Sequence, residues 1–344
     1  MPNDILTGAL EKVASRMDLT AAEAAEVLGE VMEGRASEAQ TAAFLVALRT
    51  KGETADEIIG FARTMRALAE PVEVAGRNDL VDTAGTGGGR TSFNVSTTAA
   101  FVAAGAGCTV AKHGNRSATS KSGSADVLEA LGARIDLEPA AVAECIETAG
   151  FGFMFAPLHH RAMRHVVPVR RELAVRTAFN FLGPLTNPAG ATRQLIGISD
   201  PAHMETIAAA LGALGGRSAL VVSGEDGLDE VSASAATRVV ELKDGSTATF
   251  ALTPEELGVE RVDPDATRGG TPEQNAEVTR AVLAGGDGPA RSLTLVNAGA
   301  AIYVAGRAPA VEAGVRAAEE AIDSGAAREA LERYVELTGK LAAS

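Results

Sequence analysis

A run of small, polar and basic residues between Lys112 and Ser124 could bind an anionic, hydroxyl-rich ligand. Its two halves are Lys112-His113-Gly114-Asn115-Arg116-Ser117 and Ser120-Lys121-Ser122-Gly123-Ser124. Glycines let the backbone approach a ligand closely, and hydroxyl, amide and ammonium groups donate hydrogen bonds to it. Because Val110-Ala111 is typical of a strand end and residues 125–131 of a helix, the sequence predicts a strand-to-helix loop, where α/β proteins bind ligands.

A second segment, residues 82–97, contains four glycines in the five positions from Gly85 to Gly89. Such a backbone can turn its N–H groups toward phosphate oxygens, although a tight structural turn is the alternative. Arg90 stands where a GxGxxG motif needs its last glycine, and no GK[ST] triplet follows, so neither a dinucleotide fold nor a P-loop is predicted. A helix start, which favours anions, follows the glycines and includes Asn94, Ser96 and Thr97.

An acidic segment directly after the predicted strand 219–222 could bind a metal ion, although a solvated acidic turn is the alternative. Its four carboxylates belong to Glu225, Asp226, Asp229 and Glu230. Hard cations prefer oxygen ligands, and a polyphosphate ligand would need Mg²⁺ to neutralise it. The context therefore favours a magnesium site.

A basic segment between residues 158 and 177 could bind a carboxylate. Arg170 and Arg171 face different directions on a helix, so one can point inward while the other stays solvated. His159 and His160 lack the i, i+4 spacing of a helical zinc pair, so we expect no zinc site.

These segments must be positioned by two kinds of structure. Residues 4–70 predict only helices, with Thr20, Ser37 and Thr54 as their first residues, and Pro71 and Gly76 mark the exit. Strand–loop–helix alternation follows and implies a mostly parallel sheet. Strands are predicted at 80–81, 108–111, 151–155, 194–198 and 219–222, then a hairpin of 239–242 and 246–251. Helices are predicted at 96–104, 125–131, 158–182 (broken at Pro168 and ended by Gly183-Pro184), 272–283, 295–304, 308–323 and 328–340.

We therefore expect an α/β protein in which a small all-helical domain accompanies a larger domain with a mostly parallel central sheet flanked by helices. The predicted domains are residues 1–75, joined in space by helices within about 160–183, and residues 76–344.

Net charge and composition disfavour several classes of function. The 344 residues carry a formal net charge of −14, which disfavours general binding to nucleic acid or anionic membranes. Neither a secretory signal nor a membrane-spanning segment is expected, and the two cysteines lack CxxC spacing, so the sequence predicts a cytoplasmic protein.

The order of these motifs resembles the anthranilate phosphoribosyltransferase family, which belongs to the nucleoside phosphorylase-like phosphoribosyltransferases and acts in tryptophan biosynthesis. The resemblance covers nearly the whole chain. It is carried by Gln40-Thr41-Ala42-Ala43-Phe44-Leu45, Lys51-Gly52-Glu53-Thr54, Gly85-Thr86-Gly87-Gly88, Lys112-His113-Gly114-Asn115-Arg116, Ser122-Gly123-Ser124-Ala125-Asp126, Gly183-Pro184-Leu185-Thr186-Asn187-Pro188 and Asp229-Glu230.

The resemblance implies transfer of the phosphoribosyl group from 5-phosphoribosyl 1-pyrophosphate (PRPP) to anthranilate, in a homodimer formed through the helical domain. The implied PRPP contacts are Gly85, Gly88, Gly89, Ser92, Asn94, Val95, Ser96, Thr97, Lys112, His113, Gly114, Asn115, Arg116, Ser117, Ala118, Thr119, Ser120 and Ser124. The implied anthranilate contacts are Gly85, Asn115 and Arg170. Ser96, Asp229 and Glu230 would bind Mg²⁺, with two ions in each subunit, and no residue is implied as a general acid or base.

The chain departs from the family at two places. Gly89 stands where the family usually has aspartate, in a loop one residue shorter, so we expect a polar contact to donor or metal to be absent. Ala174 stands where the family usually has glycine. The alternatives are a pyrimidine nucleoside phosphorylase-like enzyme, whose class lacks the Lys-His-Gly-Asn-Arg run, and a non-catalytic nucleic-acid-binding relative, which the net charge opposes.

Overall fold

The computed structural model describes residues 2–117 and 120–343 of the chain. The predicted PRPP contacts Ala118 and Thr119 lie outside the described residues. The amino-terminal part is helical, with helices α1 (Asp4–Ala14), α2 (Ala21–Met32), α3 (Glu38–Lys51) and α4 (Ala55–Ala67). Thr20 and Thr54 close capping boxes and Ser37 accepts the backbone N–H of Gln40, so all three predicted helix starts are confirmed.

In the described part of the chain, seven strands form one sheet in the order β3-β2-β1-β4-β5-β6-β7. They are β1 (Leu80–Gly85), β2 (Thr109–Gly114), β3 (Phe151–Phe155), β4 (Arg193–Gly197), β5 (Ser218–Gly224), β6 (Thr237–Lys243) and β7 (Ser246–Leu252). The first five pair in parallel, and β6 and β7 add antiparallel neighbours. The strand order reverses between β1 and β4, and α/β proteins bind ligands at the carboxyl ends of strands at such a point.

Helices connect and cover the strands. They are α5 (Val95–Gly105), α6 (Ser124–Leu131), α7 (Pro139–Ala149), α8 (Ala156–His159), α9 (Val167–Leu173), α10 (Phe179–Leu185), α11 (Met204–Ala213), α12 (Pro272–Leu283), α13 (Pro289–Val304), α14 (Val311–Asp323) and α15 (Ala326–Leu341). The fold class predicted from the sequence is confirmed. Among the described residues, no helix is both long and apolar enough to cross a membrane.

Two apolar clusters hold the elements together. One joins β1–β3 to α5, α13 and α15 and includes Phe101 and Phe151, whose rings stack at 4.2 Å. The other joins the amino-terminal helices to α10, α11 and part of β4–β6, and includes Phe61, Leu182 and Ile196. The helical part is therefore packed on the sheet through shared apolar contacts. The division into domains at residue 75 stays a prediction.

The polar run was wrongly predicted to begin as a loop. Strand β2 continues through Gly114, and Lys112 and His113 pair in parallel with Phe153 and Met154 of β3. Backbone pairing with a buried neighbouring strand therefore outweighs the polar character of these side chains. The loop begins only at Asn115.

The helical segment 158–182 was also predicted incorrectly. It consists of shorter helices, and Pro168 lies in the first turn of α9 rather than breaking a helix, because a first-turn residue needs no N–H partner. Helix α10 contains Pro184 and ends at Leu185. The predicted hairpin is confirmed, since Asp244 and Gly245 have φ values of 48° and 82°.

Candidate active site

The glycine loop, defined as residues 85–90, lies at the carboxyl end of β1 and is anchored on several sides. The backbone N–H of Thr86 donates to the Gly197 carbonyl at 2.9 Å. Arg176 Nη1 donates to the carbonyl of Gly87 at 2.7 Å, which links the loop to the segment between α9 and α10. The loop is thus held open to solvent on one side and fixed to β4 and the helical part on the others.

Gly89 is required by close packing. A Cβ atom at this position would lie 2.5 Å from Asp229 Oδ1 and 2.8 Å from both the Asp229 nitrogen and the Gly227 carbonyl oxygen. Such distances are far inside normal contact, so the loop has no room for a side chain at position 89. Packing of the loop on the acidic turn, defined as Gly224–Glu230, therefore requires the glycine at position 89.

The residues at the start of α5 bind neighbouring segments. Asn94 precedes α5 but makes no side-chain cap bond. Its Oδ1 accepts hydrogen bonds from Ser122 Oγ and Asn275 Nδ2, both at 2.8 Å. Ser92 Oγ donates to the Phe93 carbonyl. Thr97 Oγ1 is buried and has no partner within the described ranges, so a hydroxyl is left for a bound group. Val95 begins the helix and is buried.

Lys112 is a buried cation beneath the site, with 2% of its surface exposed. Its Nζ donates to the Thr83 carbonyl at 2.5 Å, to Thr83 Oγ1 at 3.0 Å and to Ser96 Oγ at 3.4 Å. Burial lowers the pKa of Lys112, and the charges of Asp82 and Glu230 oppose that change. Lys112 therefore orients Ser96 and faces the acidic turn from inside the sheet, where the sequence had placed it on a loop.

The two carboxylates that end the acidic turn lie close together in a poorly solvated place. Burial, and then the neighbouring Asp229 charge, raises the pKa of Glu230 to about 8, while Lys112 opposes the change. Burial also raises the pKa of Asp229, against hydrogen bonds from the backbone and the charge of Arg176. Burial therefore disfavours the charged forms of this pair in the protein alone, and a divalent cation beside the two carboxyl groups would favour their ionisation.

The oxygen atoms available at this site fit Mg²⁺. The site offers two carboxylates and the Ser96 hydroxyl, and Mg²⁺ prefers a few protein oxygens with water and substrate phosphates completing its shell. Over residues 2–117 and 120–343, no cluster of three or more His, Cys, Asp or Glu side chains could enclose a metal by itself.

The loop that follows β2 is tied to helix α6. Ser124 Oγ donates to the Asn115 carbonyl at 3.2 Å, and Ser117 and Ser120 hydroxyls lie 2.6 Å apart. Arg116 is exposed and pairs with Asp126 at 2.8 Å and with Glu129 at 2.5 Å, and these partners raise its pKa. A Cβ at Gly114 would overlap the Ser124 hydroxyl, so glycine is needed there.

Arg170 lies on α9 as a half-buried cation, with its guanidinium 5.4 Å from the centre of the Phe179 ring. Burial lowers its pKa, and among the described residues no carboxylate lies within 4.0 Å of it. A desolvated guanidinium without an anion is suited to accept a carboxylate from a ligand. Its neighbour Arg171 is exposed, as the sequence predicted for one member of the pair.

A group of buried histidines lies between β2 and the 183–188 turn. His113 Nδ1 lies 3.1 Å from the Gly183 carbonyl oxygen, and the His113 and His160 rings are 5.1 Å apart. Burial, followed by the neighbouring histidines, lowers the pKa of His113 to about 3 and that of His160 to about 4. Both rings are therefore neutral near pH 7, and neither adds positive charge to the site.

Several residues of the site were missed by sequence reasoning. Asn187 Nδ2 donates to Asp82 Oδ2 and to the Ala111 carbonyl, both at 2.8 Å, and so joins β1, β2 and the 183–188 turn. The signal for Asp82 was an acidic residue in an apolar strand. Arg176 and Asn275 gave no local signal, because their partners are 89 and 181 residues away in the chain.

Comparison with known proteins places this architecture in one family. Residues 7–69 match the family model described as the helical bundle domain of a glycosyl transferase family, and residues 77–328 match that of its a/b domain. The anthranilate phosphoribosyltransferase of Rubrobacter xylanophilus is 53% identical over 340 residues, which cover 98% of this chain and 99% of the relative.

Solved structures of anthranilate phosphoribosyltransferases are similar to this chain over nearly its whole length. The anthranilate phosphoribosyltransferase of Thermus thermophilus superposes with a TM-score of 0.91 at 47% identity, covering 96% of this chain and 99% of that one. The Saccharomyces cerevisiae enzyme in complex with PRPP and Mg superposes with a TM-score of 0.88 at 27% identity, over 98% of this chain and 99% of that one.

Proposed function

The chain belongs to the glycosyl transferase family that contains the anthranilate phosphoribosyltransferases, and from that premise we propose that it transfers the phosphoribosyl group of PRPP to anthranilate. The products are N-(5-phosphoribosyl)anthranilate and pyrophosphate, and the reaction serves tryptophan biosynthesis. One observation supports this most strongly: the glycine loop, Ser96 and the paired carboxylates Asp229 and Glu230 meet at one edge of the sheet.

The donor is proposed to bind along this edge. The glycine loop and the first turn of α5 present N–H groups and hydroxyls to the pyrophosphate. The loop after β2, with Asn115 and the hydroxyls up to Ser124, contacts the ribose and its phosphate. The full proposed set of PRPP contacts is the one implied by the family resemblance. Lys112 is buried beneath the site and acts through its hydrogen bond to Ser96.

We assign Mg²⁺ to Ser96, Asp229 and Glu230, with two ions per subunit. When bound, Mg²⁺ neutralises the pyrophosphate and makes it a better leaving group. The geometry supports the assignment: a Cβ at Gly85 would lie 3.4 Å from Asp229 Oδ2, so the Asp229 carboxylate borders the loop proposed to bind the pyrophosphate, and carboxylate and hydroxyl oxygens are ligands that Mg²⁺ prefers.

Anthranilate is proposed to bind with its carboxylate on Arg170 and its amine directed toward the ribose near Gly85 and Asn115. Displacement at the anomeric carbon develops positive charge on the sugar as pyrophosphate leaves. The protein's part is to hold amine and donor in line and to stabilise the departing anion. An aromatic amine is neutral near pH 7, so this mechanism needs no strong general base.

The active form is proposed to be a homodimer formed through the helical part. Ala39, Ala43 and Val46 lie exposed on one side of α3, and this uncharged stripe supports the proposal. Size-exclusion chromatography with light scattering tests it, and a mass near the 35.0 kDa of one chain would contradict it.

Loss of anthranilate fluorescence tests the proposed reaction. Purified protein mixed with PRPP, Mg²⁺ and anthranilate should consume the fluorescence, and should not do so without Mg²⁺. No loss at any Mg²⁺ concentration would refute the proposal. Phosphorolysis of a pyrimidine nucleoside, or a shifted DNA band at moderate salt, would instead favour one of the two alternatives.

A further inference from the structure

The acidic turn that carries Asp229 and Glu230 follows β5, and much of its own geometry comes from contacts with the glycine loop. Arg90 makes two of these contacts and a further one to a third segment. Its backbone N–H donates to the Gly227 carbonyl at 2.7 Å, Nη2 donates to Asp226 Oδ2 at 2.9 Å, and Nη1 donates to the Pro264 carbonyl at 2.6 Å. One residue therefore joins the glycine loop, the acidic turn and the segment before α12.

The pair formed by Arg90 and Asp226 is sheltered and well coordinated. The two side chains are 22% and 12% exposed. Asp226 also accepts from Ser232 Oγ at 2.9 Å and from the Leu228 N–H at 3.3 Å, so its carboxylate is fixed at both oxygens. Sheltered, charge-assisted hydrogen bonds of this kind contribute far more than exposed ion pairs.

The same turn contains a contrasting pair. Glu225 lies 3.6 Å from Arg238, with the two side chains 52% and 62% exposed. Ion pairs this exposed contribute little to structure or stability. Adjacent carboxylates on one turn therefore differ in burial and geometry, and Glu225 offers a matched control.

The glycine loop and the acidic turn pack against each other without a gap. A Cβ at Gly89, next to Arg90, would lie 2.5 Å from Asp229 Oδ1, so glycine loop and acidic turn are already in direct contact. A change in the distance between them moves the Asp229 carboxylate relative to the loop.

We propose that Arg90 and Asp226 are positioning residues for the reaction, because their ion pair sets the separation between the donor-binding glycine loop and the metal-binding carboxylates. Neither side chain needs to touch substrate. This inference deepens the proposed function and rests on it. The ion pair acts as a clamp at Arg90, the end of the glycine loop away from the proposed anthranilate contact Gly85. Its loss should therefore weaken PRPP binding far more than anthranilate binding.

A double-mutant cycle tests the clamp. Arg90→Met, Asp226→Asn and the double variant should each raise the KM for PRPP about tenfold or more, as expected when a charge-assisted hydrogen bond is lost. The double variant should be no worse than the singles, and the KM for anthranilate should stay within about twofold. Glu225→Gln should leave both constants unchanged.

Amide hydrogen exchange supplies a readout that does not depend on activity. In the protein without ligands, Arg90→Met should speed exchange in residues 86–93 and 224–230, while Glu225→Gln should not. An unchanged PRPP KM with unchanged exchange, additive effects of the two substitutions, or equal rises in both KM values would each overturn the clamp. An inactive wild-type protein would instead count against the proposed function, and the exchange result would still decide the clamp.

Discussion

Replacing Arg170 with alanine should weaken anthranilate binding selectively. The guanidinium is half-buried, has a pKa lowered by burial and has no carboxylate within 4.0 Å in the described part of the chain. A sheltered guanidinium–carboxylate pair contributes about 2–3 kcal/mol. Since each 1.4 kcal/mol corresponds to a factor of ten, the KM for anthranilate should rise roughly 30- to 150-fold.

Folding should change little in the same variant, because no ion pair within the protein is lost. The loss is limited to the contact with the Phe179 ring, which at 5.4 Å is worth about 0.5–1 kcal/mol. A fall in melting temperature large enough to unfold the site would therefore contradict the structural reading of Arg170.

Steady-state fluorescence kinetics with each substrate varied in turn measure the effect. Arg171→Ala is the matched control, since this exposed neighbour lies on the same helix and faces solvent. The expected result is a large rise in anthranilate KM for Arg170→Ala, less than about twofold change in PRPP KM, and no change for Arg171→Ala. Equal rises in both KM values, or an equal effect of the control, would refute the carboxylate role.

Three further predictions concern stability and geometry. Ala174 has a φ of 51°, in the left-handed region that favours glycine. Ala174→Gly should therefore stabilise the protein by about 0.5–1 kcal/mol, measured as a higher melting temperature. A lower melting temperature would contradict the backbone strain assigned to Ala174. The pKa values of His113 and His160, lowered to about 3 and 4, mean that the unfolded chain takes up protons below pH 6.5 that the folded chain does not. The stability that the two neutral histidines contribute above pH 6.5 is therefore lost on acidification, by about 3 kcal/mol between pH 6.5 and pH 5. Asp82 and Glu230 act in the opposite direction, because burial raises their pKa values to about 6 and about 8 and the folded chain takes up their protons first; together they offset about 3 kcal/mol over the same range. Urea titration should therefore show a change of less than about 1 kcal/mol between pH 6.5 and pH 5, and a loss near 3 kcal/mol would contradict the raised pKa values of the two carboxyl groups. A methyl group at Gly197 would overlap the backbone carbonyl of the acidic turn, so Gly197→Ala should abolish Mg²⁺-dependent activity, and full activity would show that the turn can move aside.

Much of the fold could be predicted from local signals. Capping residues such as Thr20 and Thr54 define helix starts without tertiary help, and Asp244-Gly245 specifies a tight hairpin through backbone conformations near φ of 50–80°. Helix α12 was predicted with its observed bounds, Pro272–Leu283, and its start is well defined because Thr271 caps it and Pro272 occupies the first helical position. Helices α7 and α11 were not predicted, since their alanine-rich sequences carry weak periodicity.

The candidate site was only partly predictable, for a physical reason. Glycine runs and paired carboxylates can be recognised in the sequence alone. The structure brings Gly85, Ser96 and Asp229 together at one edge of the sheet. Whether a polar side chain lies in a strand or a loop depends on pairing with distant segments. Lys112 was misplaced for that reason, and the bond between Arg90 and Asp226 joins residues 136 positions apart.

The most direct test of phosphoribosyl transfer is product formation followed by ³¹P nuclear magnetic resonance in the presence of Mg²⁺. We predict that the PRPP signals decay while free pyrophosphate and a single new sugar-phosphate signal appear, in amounts equal to the anthranilate consumed. Decay of PRPP without consumption of anthranilate, or no change in either substrate with excess Mg²⁺, would contradict the account.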